Sequence, residues 1–535
     1  MKLSVFFLIS TLCLSACTES ELDSSDTLQA NPDALEDTVS TLDEGPVEPE
    51  GPFANVYLKS PLQGDGLTLV SLPDLTDPDG YLTGTNAIVR NCINEAGGPF
   101  ILCNLKQTAQ PGSDGSYLHI MPSTDSDPDD PFAEVMMYYH MVAAHDYFTD
   151  TLGMDPLTVP LLAVVNVQLN FFGGWQPFDN AAYMPKETLQ QFQIDGIDED
   201  AIVFGQGTAI DFSYDAAVIR HEYTHAMIGA TRLSGTAYDE HGIDGASMAM
   251  HEAHADYFAA TMSDDPVIGS YALQGVGGVD MSRDLSRFRS CPADMVGEVH
   301  VDGEMYGSAL WAIREALGAE LADRIIFDAL LNFTPAMNFK NATEIVLARA
   351  QQEGPDVSSA ITQAFAERGL LDCKRIKDYE DFTVTQSGQM PTFIEGTQST
   401  GILAFSEFAP GYMQYKVDVP EGTKAIRVMV AVPEQQGFGF GGGGGVALDV
   451  VWRHDAPITY EFPSGGGAIT QADAIMPLES TGNSFYEVVV SGSCLTPGTH
   501  YMQFQSRSQG QNQMHAMILG FLETDSGNGE YICPN

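Results

Sequence analysis

Two histidines four residues apart, His221 and His225, bracket Glu222 in the run His221-Glu222-Tyr223-Thr224-His225. In a helix, side chains at i and i+4 share one face, so two imidazoles can hold one metal ion. Glu222 stands about 100° round that helix from His221. From there its carboxylate can reach a water on the ion without ligating it. The chemistry this describes is attack of a metal-activated water on a carbonyl carbon. The pentapeptide alone also occurs on solvated helix faces, so a third ligand has to be found.

A catalytic zinc takes three protein ligands and keeps one position for water. The extension HExxHxxGxxH fails, because Ile228 stands where Gly is required and Thr231 where the third His belongs. The next helical stretch, ASMAMHEAHADYF, offers Glu252, with Asp256 at i+4 on the same face. Glu252 is therefore expected as third ligand, and Asp256 as acceptor of a hydrogen bond from a ligand histidine. His251 and His254 flank Glu252 and are the rival ligands. At i−1 and i+2 they point elsewhere on the helix.

HEYTH followed by ExxxD resembles the gluzincin metallopeptidases, and within them the thermolysin and fungalysin families. Val299-His300-Val301-Asp302-Gly303-Glu304, then Ala309-Leu310-Trp311, is similar to the fungalysin pattern VHxxGExWAxxLW. The helical runs ATEIVLARA and AITQAFAERGLL also resemble the end of fungalysin catalytic domains. The resemblance covers roughly residues 53–375 and implies a zinc endopeptidase acting on proteins or peptides. It implies Glu222 as general base and His300 as the side chain that stabilises the transition state. FDNAAYMP (178–185) resembles the substrate-binding edge strand, with Asn180 and Ala181 facing the peptide backbone. Tyr238 is the nearest match to a further substrate contact. The chain departs from the family at Ala226, where Gly is usual, and at His251, where Gly or Asn is usual. A long inhibitory propeptide is not expected, because only a short segment separates the export signal from the body.

These residues need elements to hold them, and the texture supplies an α+β fold of the thermolysin/fungalysin zincin type. Residues 51–131 read as turns and short strands rich in Gly, Pro and Asp. From 132 to 378 helical periodicity dominates, interrupted by strands at 161–172 and 201–207. Helices are expected at 132–149, 215–233, 246–262, 304–318, 320–333, 342–354 and 357–371. Residues 379–535 alternate apolar and polar residues in several runs and read as an all-β sandwich. The glycine run 441–445 lacks a following Lys-Ser/Thr and is a hairpin or loop rather than a phosphate cradle. His140 and His145, at i and i+5, do not share a face and are assigned to packing or surface. The acidic loops 123–131 and 196–200 are candidates for Ca2+ but carry no EF-hand pattern.

A chain of 535 residues exceeds one hydrophobic core, so two or more domains are expected. It carries 23 Lys+Arg against 73 Asp+Glu, a formal charge of −50. Such a surface repels nucleic acid and anionic lipid, which excludes nucleic-acid binding. Residues 1–17 read as an export signal: Lys2, an apolar run Leu3 to Leu14, then Leu14-Ser15-Ala16-Cys17, a lipoprotein box with Cys17 as the lipidated residue. Residues 18–50 are an acidic tether without aromatics. The protein is thus expected outside the cytoplasm, lipid-anchored to a bacterial envelope; Thr18-Glu19 after the lipid Cys leans toward the outer membrane. Six cysteines remain beyond Cys17, and pairing neighbours gives 92–103, 291–373 and 494–533. A rival reading is a catalytically inactive, peptidase-like surface binding or adhesion lipoprotein. A second rival, an aminopeptidase, needs a carboxylate cluster for the substrate amine, and no such motif precedes HEYTH.

Overall fold

The computed structural model describes residues 51–378 with short breaks, and, of the C-terminal part, parts of 392–524. Cys17, the tether, the glycine run 441–445, Cys494 and Cys533 lie outside the described residues. An antiparallel pair, β1 (Phe53–Tyr57) and β2 (Leu67–Ser71), opens the described chain. A six-stranded sheet follows, built from β3 (Ala87–Asn94), β4 (Cys103–Lys106), β5 (Leu161–Phe171), β6 (Gly174–Pro177), β7 (Ala181–Met184) and β8 (Ala201–Gly205). The order is β4-β3-β5-β8-β7, with β6 hairpinned onto β5. β3, β5 and β8 run parallel, and β4 and β7 close the two edges antiparallel.

The apolar runs of β5 and β8 suit strands covered on both faces. Their residues alternate between two clusters. Ala163, Val165, Ile202 and Phe204 join the main core under the helices, whereas Val164, Val167 and Val203 pack with Phe178, Ala182 and Met184 on the other face. Among the described residues β7 pairs with β8 alone, which leaves its other edge open.

Seven α-helices are described: α1 (Pro131–Asp146), α2 (Ala216–Ile228), α3 (Ala246–Ser263), α4 (Val299–Leu317), α5 (Ala319–Leu330), α6 (Phe339–Ala350) and α7 (Pro355–Glu367). Asp215 caps α2, its carboxylate accepting from Ala217 N at 3.1 Å, and Gly229 ends it at φ +80°. Glycine is needed there because a side chain is strained at that φ. α2 therefore stops five residues before the expected 233. α4 begins at Val299 rather than 304, because the Glu298 carboxylate accepts from Val301 N at 3.0 Å and caps it. His300 consequently sits in the first helical turn. No helix among the described residues is long and apolar enough to cross a membrane.

α3 lies between α2 and α4. Its alanines, Ala249, Ala253, Ala255, Ala259 and Ala260, are buried, and small residues let neighbouring helices approach closely. At Gly303 a Cβ would come 2.7 Å from Ala249 O, so α4 crosses α3 where only glycine fits. The glycine of the 299–304 block is therefore a helix-contact residue.

The C-terminal part contains β11 (Ile376–Asp378), β12 (Ala409–Val419), β13 (Ala425–Ala431), β14 (Leu448–His454), β15 (Ala474–Pro477), β16 (Glu479–Gly482), β17 (Phe485–Ser491), β18 (Gly498–Ser506) and β19 (Glu523–Thr524). One sheet runs β11-β12-β18-β14-β15 and a second β16-β17-β13-β19. Tyr415, Val450, Trp452 and Phe504 of the first and Ile426, Val428 and Val490 of the second belong to the same buried cluster.

The hairpin of β9 (Ala237–Asp239) and β10 (Gly242–Asp244) joins the helical part to these sheets. Tyr460 N donates to Glu240 O at 2.8 Å, and Gln503 Nε2 to His241 O at 3.2 Å. Arg375, 2% exposed, forks onto both Asp239 oxygens at 2.7 Å and reaches Asp244 at 2.6 Å. Cys291 and Cys373 are bridged just before it, and Cys92 is also disulfide-bonded. Arg375→Met leaves the buried Asp244 carboxylate without its cation and is expected to cost about 3–5 kcal/mol of stability, measured by urea unfolding. A loss below about 1 kcal/mol would show that the clamp is dispensable.

Candidate metal centre

α2 and α3 bring His221, His225 and Glu252 together; among the described residues they are the one group of three metal-donor side chains. His221 Nε2 lies 3.0 Å from His225 Nε2. Glu252 Oε2 lies 3.3 Å from the first and 3.5 Å from the second. Ligand bonds of about 2.0–2.1 Å at tetrahedral angles give an edge of about 3.3–3.4 Å, so the triangle has the size of a zinc face. Glu252 Oε2 is buried and makes no well-formed hydrogen bond. A buried carboxylate oxygen facing two ring nitrogens calls for a cation among them. The residues therefore fit a zinc ion.

The far side of His221 is braced. Its Nδ1 lies 2.7 Å from Asp256 Oδ1, and Arg283 holds the same carboxylate through Nε at 2.6 Å and Nη2 at 2.7 Å. Burial alone would lower the His221 imidazole; the charge and hydrogen bond of Asp256, with Glu252, overcome it and raise it to about 10. Burial would raise Asp256, but Arg283 first and His221 next hold it well below the usual carboxylate range. Glu252 is also held well below that range, against burial, by His300 and His225. The local field thus favours positive charge at the point where the Nε2 atoms meet.

His225 has a different outer partner. Its Nδ1 lies 2.7 Å from Nδ1 of His251. Burial, and then His225, pull the His251 imidazole down to about 3, so it stays neutral. His251 therefore does not point clear of the cluster, as its place beside Glu252 on the helix suggests. It touches the histidine of the neighbouring helix. His254 turns away, with Nδ1 2.6 Å from Met250 O and its ring against Tyr306 and Phe333.

Two further groups face the triangle. His300 Nε2 lies 3.3 Å from Glu252 Oε2, while His300 Nδ1 is 2.8 Å from Glu298 Oε1. Burial would lower His300, but Glu252 and Glu298 raise it to about 9. Glu222, on the α2 face next to the ligands, accepts a hydrogen bond from Tyr183 N of β7 at 2.7 Å. That amide points away from β8, so Ala181 and Tyr183 turn their backbone groups to the open edge. Asn180 O accepts from Gly205 N at 2.9 Å, which anchors the strand just before Ala181. Tyr238 sits half-buried on β9, packed against the main core.

The described parts of the acidic loops give no support for calcium. Asp130 caps α1 through Phe132 N at 3.0 Å and accepts from Tyr214 Oη at 2.6 Å. Asp200 accepts from Lys186 N at 2.9 Å and from Tyr183 Oη. His140 is buried against Tyr57 O at 2.8 Å, and His145 lies 3.4 Å from Asp146, so the two do not meet.

Sequence reading missed Arg283, Glu298 and the Tyr183 amide, and weighed His251 only as a rival ligand. Glu298 had a usable signal, an acidic residue at a helix start three before Val301. Arg283 had none, because only the tertiary fold brings it to Asp256. Asp256→Asn keeps the volume but removes the charge that braces His221. It is expected to weaken zinc binding by about 10–100-fold in competition with a chelator. Unchanged affinity would show that Asp256 serves packing alone.

No curated protein matches the chain. A family model does, and its family consists of zinc metallopeptidases. Its span takes in α1 to α7 and every residue of the cluster just described. Over residues 128–371 the chain matches the model of the fungalysin metallopeptidases (M36), to which this part is similar.

Proposed function

We propose that this protein is a zinc-dependent endopeptidase, exported and lipid-anchored through Cys17, that hydrolyses proteins or peptides outside the cytoplasm. The observation that carries the reading is the triangle of His221 Nε2, His225 Nε2 and Glu252 Oε2 beside a general base tied to an open strand edge. Zinc held there would lower the pKa of a water and polarise the scissile carbonyl. A substrate in extended form adds to β7 as a further strand, with Ala181 and Tyr183 supplying backbone partners. An open edge accepts the middle of a polypeptide, which favours internal cleavage over removal of a terminal residue.

Glu222 takes the proton of the attacking water and passes it to the leaving amine. Its hydrogen bond to the Tyr183 amide holds the carboxylate level with the strand that aligns the substrate. His300 donates through Nε2 to the oxyanion as it forms, and Glu298 at Nδ1 fixes the ring for that task. The carboxylates of Glu252 and Glu298 on its two sides favour its donating form.

The export signal and the acidic tether support a location beyond the inner membrane. The Cys291–Cys373 disulfide agrees with that, because disulfides persist in oxidising compartments. The two C-terminal sheets, with one shared core, support the sandwich reading of residues 379–535.

Glu222→Gln is expected to bind zinc as the wild type does and lose nearly all hydrolysis of casein. Retained turnover would end the general-base assignment. If the wild type itself shows no chelator-sensitive cleavage, the inactive binding or adhesion protein becomes the better reading. His300→Ala is expected to lower kcat by about 10²–10³-fold with zinc content unchanged. Loss of zinc instead would mean that His300 is a ligand or supports one.

A further inference from the structure

We propose that His251 is a positioning residue: it accepts the Nδ1 proton of His225 and so fixes the tautomer in which His225 can ligate. This rests on the zinc reading above. The two Nδ1 atoms are 2.7 Å apart, and the rings lie 22° from parallel with centroids 4.6 Å apart. Nitrogens this close share one proton.

The other face of His225 decides which ring owns that proton. Its Nε2 is 3.0 Å from His221 Nε2 and 3.5 Å from Glu252 Oε2, in the triangle where a cation belongs. A neutral imidazole with a free lone pair on Nε2 carries its proton on Nδ1. His225 therefore donates, His251 Nδ1 accepts, and His251 keeps its own proton on Nε2. The reverse arrangement would put a proton on His225 Nε2, aimed at the other donors and in competition with the metal.

The two ligand histidines are thus oriented by different means. His221 leans on a carboxylate neutralised by Arg283, whereas His225 leans on a neutral ring. An acceptor with no charge fixes the tautomer without adding a second buried anion that would need its own cation. His254, three residues along α3 and equally buried, makes no such contact and serves as the control.

The test uses the full chain and measures zinc affinity by competition with a chromogenic chelator, together with the visible spectrum of the cobalt(II)-substituted protein. His251→Phe keeps a ring but no acceptor, and is expected to weaken zinc binding about 10–100-fold and shift the cobalt bands. His251→Asn, whose carboxamide oxygen can accept the same proton, is expected to restore most of the affinity. His254→Phe is expected to leave zinc binding unchanged. Wild-type protein that takes up no zinc would sink the metallopeptidase reading itself. Zinc-binding wild type with an equally tight His251→Phe variant would overturn only the role of His251. Should that variant fail to fold, histidine 15N shifts of the zinc-loaded wild type decide. Protonated Nδ1 on His225 with unprotonated Nδ1 on His251 supports the proposal, and the reverse overturns it.

Discussion

The buried carboxylate of Glu252 sets the terms for the rest of the site. Its Oε2 is in reach of three imidazole nitrogens, from His221, His225 and His300, and shielded from water. An anion in that position is costly unless positive charge sits beside it. The groups around it are arranged accordingly. Each ring that faces the carboxylate has its outward Nδ1 engaged: His221 by Asp256, His225 by His251, His300 by Glu298. Engaged Nδ1 atoms leave the Nε2 atoms turned inward. In a chain of formal charge −50, this spot, among the described residues, is thus defined by geometry rather than by general acidity.

That geometry depends on helix spacing. Glu252 and Asp256 are on α3, the two ligand histidines on α2, and His300 on α4, so three separate helices must approach within side-chain reach. Gly303 faces Ala249 O and Gly307 faces Ala253 and Leu285. A β-carbon at Gly303 would push α4 off α3 and take His300 from Glu252. The start of α3 is fixed as well, because Asp244, which accepts from the first helical amide, Ala246 N, at 2.9 Å, is held by Arg375. The residues just beyond the family span thus set the entry of the helix that carries the third ligand.

The candidate metal cluster was legible in the sequence because a helix converts spacing into direction. His221 and His225 at i and i+4, and Glu252 and Asp256 at i and i+4, are each a one-helix inference. What failed was inference across helices. His251 was placed off the cluster by the same periodicity, correctly for α3 alone, but α2 packs against α3 and His225 meets it there. Arg283 reaches Asp256 from a different segment altogether. The edge position of β7 depends on strand order, since an alternating four-residue run reads the same at a centre or an edge. α4 begins a turn before the expected 304, because Glu298 caps it and Gly303 lies inside the helix where it meets α3.

The hydrogen bond from Tyr183 N to Glu222 carries one more consequence. A strand amide on an open edge is a donor that an added strand could use, and in this structure the Glu222 carboxylate holds it. In the proposed reaction, alignment of the substrate and activation of the water would therefore share one backbone group. A peptide pairing with Tyr183 would have to displace Glu222 or accept alongside it, so the proposed base would respond to a strand laid on β7. Tyr183 stands two residues from Ala181, on a strand pinned at Asn180 by Gly205, where a Cβ would come 1.7 Å from Phe178 O. Glycine at that contact lets β8 pass close to the entry of β7, and so helps to hold the strand whose Tyr183 amide bonds Glu222.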